Sequence, residues 1–485
     1  MGNAGESSAP LLGGEGENEG EIEGSLVREA VEESKKLWKI VAPVVVCRVS
    51  SAGMNVVTQA FAGRLGELEL ASISISVTVV IGFSFGLVLG MASALETLCG
   101  QAYGAKKYHM LGIYLQRSWI ILFFCTLLSI PFYIYTTPIL ELIGQPPDIA
   151  RQAGQLSLWF IPLQFSFVLL LPQQKFLQSQ HKNLVSAVIS AAAFLLHVLI
   201  SWILMHKLRL GLVAAALSLN FSWWITAVAQ FAYIVYGCPL TWNGFSIDAF
   251  SGLWKFFKLS LASGVMLCLE YWYYRALILL AGNLKNVKTA VDALSICMNI
   301  NSWEVMIPVA FLAGIGVRVS NELGSGNGKG AKFATIVAVL NSSLIGIFFC
   351  CLMLVFHDKY GLFFTSSEIV LSLADKLSVL LAFTNLLNSI QPVLSGVAIG
   401  SGWQATVAYV NVGSYYLVGA PVGIFLGWIM KLEVLGLWTG LIGGTLVQTL
   451  ILAFFTARCN WDNEALKASA RVTKWDVPEL SKQGS

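Results

Sequence analysis

Charge is scarce in this 485-residue chain. Asp, Glu, Lys and Arg together make up 12% of it, against 56% hydrophobic residues, and the mean hydropathy is +0.71. A water-soluble domain with such a surface would precipitate, so lipid is the expected solvent. A basic stripe is also missing: the net charge is only +3 and the basic residues are scattered among short loops, which excludes nucleic-acid binding. The nine cysteines are an odd number, lie mostly in apolar runs and lack metal-ligand spacing, so they read as small buried hydrophobes.

Signals of soluble enzymes are wanting too. No paired-His metal helix, nucleotide-binding glycine loop or strand-turn-helix nucleophile context occurs. The Gly324–Gly330 stretch follows an apolar helix, lacks the phosphate-loop spacing and reads as a linker. The chain is not expected to be an enzyme. No cofactor is implied, and active transport would draw its energy from an ion gradient.

Residues 1–33 are rich in Glu and Gly and lack the basic flank and apolar core of a signal peptide, so a disordered cytosolic tail is expected there. Glu6 stands where a myristoylation motif needs Ser or Thr, which argues against lipidation.

What the sequence does have is long apolar runs. Reading stretches of roughly 20 such residues as spanning helices gives six candidates near 38–60, 70–95, 112–136, 152–173, 183–205 and 211–236. After a polar break, six more lie near 255–280, 289–316, 332–356, 372–395, 405–429 and 434–457. The expected fold is all-α and integral to the lipid bilayer, with twelve transmembrane helices in two six-helix lobes. The lobes cover 34–236 and 255–457, joined by a linker over 237–254 and followed by a polar cytosolic tail over 458–485. A modest excess of Lys and Arg on one side places both termini in the cytosol.

The halves echo each other at an offset close to 220 positions. Gly100-Gln101-Ala102-Tyr103-Gly104 aligns with Ser320-Asn321-Glu322-Leu323-Gly324, and Asp148-Ile149 with Glu368-Ile369. Two similar bundles that rock about a central site are a common transporter design.

Ionisable and amide groups inside hydrocarbon mark candidate sites. Glu270 lies deep in the seventh run, where the charged form is poorly solvated and proton exchange becomes feasible; a structural pairing with Arg275 is the other reading. Tyr271 and Tyr274 beside it either line a substrate cavity or pack. Glu304 and Asn301 on the eighth run, Asn388 and Gln391 before Pro392 on the tenth, and Asn55 and Gln59 on one face of the first are further cavity candidates. Interhelical hydrogen bonding accounts for them equally. Arg48 and His197 receive no role, and Glu96 is read as organising a cytosolic turn.

Leu95-Glu96-Thr97-Leu98-Cys99-Gly100-Gln101-Ala102-Tyr103-Gly104-Ala105 and Val317-Arg318-Val319-Ser320-Asn321-Glu322-Leu323-Gly324 resemble the paired signatures of plant MATE transporters, the DETOXIFICATION proteins. Pro392 to Gln404 resembles the motif following that family's tenth helix, and the likeness runs from about residue 34 to 461. The resemblance implies a two-lobed, twelve-helix exporter of small organic substrates against protons, with Glu270 at the family's coupling carboxylate. A passive anion channel of the vacuolar membrane, for which some relatives give precedent, is the alternative function, and the chain is expected to be a monomer. Asn388 stands where many relatives place Asp, Ile399 where many have Arg, and Arg64 where His is common. The Asn388 segment looks more like the transparent-testa-type flavonoid and anthocyanin carriers of the vacuolar membrane.

Overall fold

The computed structural model describes the backbone of residues 14–281 and 287–475 and the side chains of 25–274 and 289–475. Among them the structure is helical, with no strand. Six long helical segments form the first lobe: α1 Gly14–Gly63, α2 Glu67–Gly104, α3 His109–Ile134, α4 as the bent pair Pro147–Trp159 and Ile161–Ser179, α5 Asn183–Lys207 and α6 Val213–Gly237. Six more form the second: α7 Leu253–Ala281, α8 as the broken pair Val287–Glu304 and Met306–Gly324, α9 Gly328–Val355, α10 Glu368–Ser401, α11 Gln404–Ile429 and α12 Glu433–Ala457. A shorter helix, α13 Trp461–Trp475, follows. The chain is thus a multi-pass integral membrane protein of twelve spanning segments in two lobes.

The lobes meet along α1, α2, α7, α8 and α10, with α2 packed on α7 as α1 packs on α8. This crossed pairing is what a two-fold relation between repeats produces. The aligned motifs confirm the relation in detail, because a Cβ on Gly104 would lie 2.0 Å from the Asn321 carbonyl and one on Gly324 would lie 2.2 Å from that of Gln101. Only glycine lets the backbones approach so closely. Gly90 and Gly264 do the same for α2 and α7, where a Cβ on Gly90 would sit 2.8 Å from Gly264 Cα.

The expectation of a disordered segment over residues 1–33 needs correction. The segment up to residue 33 is helical from Gly14 onward, and Glu33 is buried against α8, accepting two hydrogen bonds from Arg318 at 2.7 and 3.0 Å. Residues 461–475 also form a helix, because Trp461, Ala465, Ala468 and Val472 make one apolar stripe at helical spacing that buries against the bundle. Residues 1–13 and 476–485 lie outside the described residues. The linker is likewise ordered by α3: Arg117 donates to Asp248 O and Ser251 Oγ, and Gln116 to Gly244 O.

Prolines shape the interior. Pro308 cannot donate to the carbonyl of Glu304, and α8 breaks there into Val287–Glu304 and Met306–Gly324. Pro392 leaves the Asn388 carbonyl without its helical donor, yet α10 runs through it.

Candidate functional site

The termini-bearing end of the lobe junction is closed. Thr97 donates to Ile399 O, Gln101 to Gly400 O at 3.0 Å, and Gln404 to Thr97 Oγ1 at 2.7 Å. Arg471 of α13 reaches across the seam to Gln101 Oε1 at 2.8 Å. Asn321 of α8 donates to Ser179 O and pairs with His181 Nε2 at 2.9 Å, tying α8 to the α4–α5 turn.

Beyond this seal, between the lobes, lies a small cavity of about 40 Å³, room for little more than a water molecule. Arg48 of α1, Ser93 of α2 and Lys175 of α4 line it from one lobe. Glu270 and Tyr271 of α7 line it from the other, with Pro392 and Ile399 of α10 beside them. Gln391 lies beside the Glu270 carboxyl with its Nε2 donating to Ser395 Oγ at 3.0 Å, while the buried Oε2 of Glu270 has no partner among the described residues. Arg275, the structural alternative considered for Glu270, has a side chain outside the described residues.

Behind Glu270, inside the second lobe, a polar chain links three helices. Tyr274 Oη donates to Asn388 Oδ1 at 2.9 Å, and Asn388 Nδ2 donates to Asn301 Oδ1 at 3.0 Å. Ser389 Oγ approaches Glu304 Oε1 at 3.5 Å, and Glu304 Oε2 is buried without a partner among the described residues. The wide π-type turns of Val412–Gly419 in α11 turn Tyr415 inward, where it donates to Gln448 at 2.7 Å. Glu270, Tyr271, Tyr274, Asn301, Glu304, Asn388 and Gln391 therefore converge on the second lobe. Asn55 and Gln59 do not join them: both are half-buried on α1, and no hydrogen bond of the cluster includes them.

Sequence reasoning missed one pair and passed over one charge. Glu96 is fully buried and ion-paired with Lys175, itself only 6% exposed, so neither belongs to a cytosolic turn. Arg48 lines the cavity half-buried and makes no ion pair among the described residues. The available signal was a cation within an apolar run, which membrane interiors tolerate only where it has a partner or a water-filled cavity. His197 is held by Thr58 at 3.0 Å, Ser222 at 2.9 Å and Ser201 at 3.3 Å.

A family model described as MatE matches residues 43–203 and 262–425, one block in each lobe. The chain belongs to the MATE family. It is 59% identical over 445 residues to Protein DETOXIFICATION 27 of Arabidopsis thaliana, covering 91% of this chain and 92% of that protein. It is 54% identical to Protein DETOXIFICATION 26 of the same plant, over 98% of this chain and 97% of the relative. The crystal structure of the eukaryotic MATE transporter AtDTX14 superposes with a TM-score of 0.87 at 34% identity, covering 91% of this chain and 99% of that one. An outward-facing multidrug resistance MATE transporter shares the fold at 14% identity and a TM-score of 0.76, covering 91% and 96%. This MATE protein is accordingly a membrane transporter rather than an enzyme, and its inter-lobe cavity lies where two rocking lobes would expose a site alternately.

Proposed function

We propose that this MATE transporter is a proton-coupled antiporter that exports small organic compounds from the cytosol, with Glu270 as the proton site. Flavonoid or anthocyanin glycosides, alkaloids and xenobiotics are the candidate substrates, and the vacuolar membrane is the proposed location. The observation that carries the reading is the Glu270 carboxyl, which faces the inter-lobe cavity with one buried oxygen unpartnered among the described residues.

An anionic carboxylate there lacks enough donors and gains by taking either a proton or a polar group of the substrate. Proton and substrate then exclude each other, which is the requirement for exchange. Tyr271 offers an aromatic face at the cavity wall. Tyr274, on the same helix as Glu270, is tied through Asn388 to Asn301, which joins α7 to α10 and α8.

The experiment is uptake of a flavonoid glycoside and of an organic cation into proteoliposomes, with and without an imposed pH gradient. Native protein should accumulate substrate only with the gradient, and Glu270→Gln should lose that accumulation by about tenfold or more while remaining folded. Gradient-driven uptake retained in the variant contradicts the role of Glu270. Flux indifferent to both gradient and mutation points instead to a passive anion channel.

A further inference from the structure

Two opposite charges face the same cavity from opposite lobes, and neither has an ion-pair partner among the described residues. Arg48 enters from α1 and Glu270 from α7. We propose that Arg48 is the built-in counter-ion of Glu270, closing onto the carboxylate across the lobe junction whenever the carrier is empty and deprotonated. The inference rests on Glu270 being the proton site and adds how the empty carrier is kept from slipping.

The other groups around Glu270 cannot take this part. Lys175 of α4 is committed to Glu96 of α2. Glu304 of α8 and the phenols of Tyr271, Tyr274 and Tyr415 are neutral or acidic, and Gln391 of α10 brings an uncharged amide. Arg48, whose charge also acts on Glu96 of α2, is therefore the cation without an ion pair among the described side chains lining the cavity. Both residues line one cavity of about 40 Å³, and the long flexible stem of an arginine lets its head move within such a space.

The pair would have a specific use in exchange. An antiporter stays coupled only if its empty form does not switch sides. A cross-lobe ion pair forms in that form, and protonation of Glu270 or capture of it by substrate breaks the pair and frees the lobes to move. Arg48 then acts through Glu270 as a coupling residue and needs no contact with substrate.

The test is a double-mutant cycle with Arg48→Gln, Glu270→Gln and the double variant, read first by thermal unfolding of ligand-free protein in detergent. At about pH 8 the effects of the two single variants should be non-additive by about 3 °C in apparent Tm, and at about pH 5 they should add. In proteoliposomes under a pH gradient, Arg48→Gln should reduce steady-state ethidium accumulation by about fivefold, and Arg48→Lys should restore it. Additivity at the higher pH overturns the inference, as does native accumulation in Arg48→Gln or failure of the Lys variant to restore it. Should ethidium prove not to be carried, the thermal cycle decides alone. Loss of gradient dependence in Glu270→Gln with an additive cycle would leave the proton site standing and remove only the role of Arg48.

Discussion

In the first lobe Glu96 meets Lys175 deep between α2 and α4, and the His197 ring is held by three hydroxyls. In the second lobe Glu270 and Glu304 have no ion pair among the described residues; they and Glu96 each keep one buried oxygen without a partner there, so the lobes differ in the cation and not in the orphaned oxygen. The helices of the two lobes correspond one to one, so the contrast is one of side chains carried by a shared scaffold. A buried carboxylate held against a cation resists change, because removing either member leaves an uncompensated charge. A buried carboxyl with no cation beside it can instead exchange its proton at modest cost. The comparison assigns stability to the charges of the first lobe and work to those of the second.

The sharpest way to break it is Lys175→Met. Stranding Glu96 should destabilise the protein by about 3–5 kcal/mol, read as a lowered thermal midpoint and poor recovery from the membrane. A normally stable variant that fails only in transport would move the pair from scaffold to mechanism. Next is Glu304→Gln, which keeps shape and the contact with Ser389; it should cost less than about 1 kcal/mol of stability and reduce gradient-driven uptake only in part. Complete loss of transport there would give the second lobe two proton sites in place of one.

The smallest effect concerns the seal. Burial, reinforced by the nearby Arg318 charge, holds His181 below its ordinary value, consistent with a neutral ring bonded to Asn321. A histidine so depressed contributes stability above its unfolded value of about 6.5, and that contribution is lost as pH falls through the lower folded value. Acid on the termini-bearing face should therefore loosen the contact between α8 and the α4–α5 turn by a few tenths of a kcal/mol. His181→Gln should remove this acid sensitivity, measured as the pH dependence of cross-linking between cysteines placed on the two elements.

The twelve helices were legible because each is a run of apolar residues long enough to cross lipid, and the repeat because its offset survives at Gln101/Asn321 and Gly104/Gly324. The second-lobe cluster was legible because Glu270, Asn301, Glu304 and Asn388 are conspicuous in apolar surroundings. Pro308, four residues after Glu304, already encoded the break in α8. Tertiary pairing was not legible: Glu96 and Lys175 are 79 positions apart, and no local spacing joins them. The stripe on α13 was masked by the polar composition around it, and Glu33 reads as one acid among many until Arg318 is placed beside it.

The central claim, that the second lobe's Glu270 carries the exchanged proton, is most directly tested by counting protons released when a transported compound is added to purified protein in weak buffer. Native protein should release about one proton per transporter at a pH where the site is protonated, Glu304→Gln should do nearly the same, and Glu270→Gln should release none. Equal release by native protein and Glu270→Gln would contradict the account.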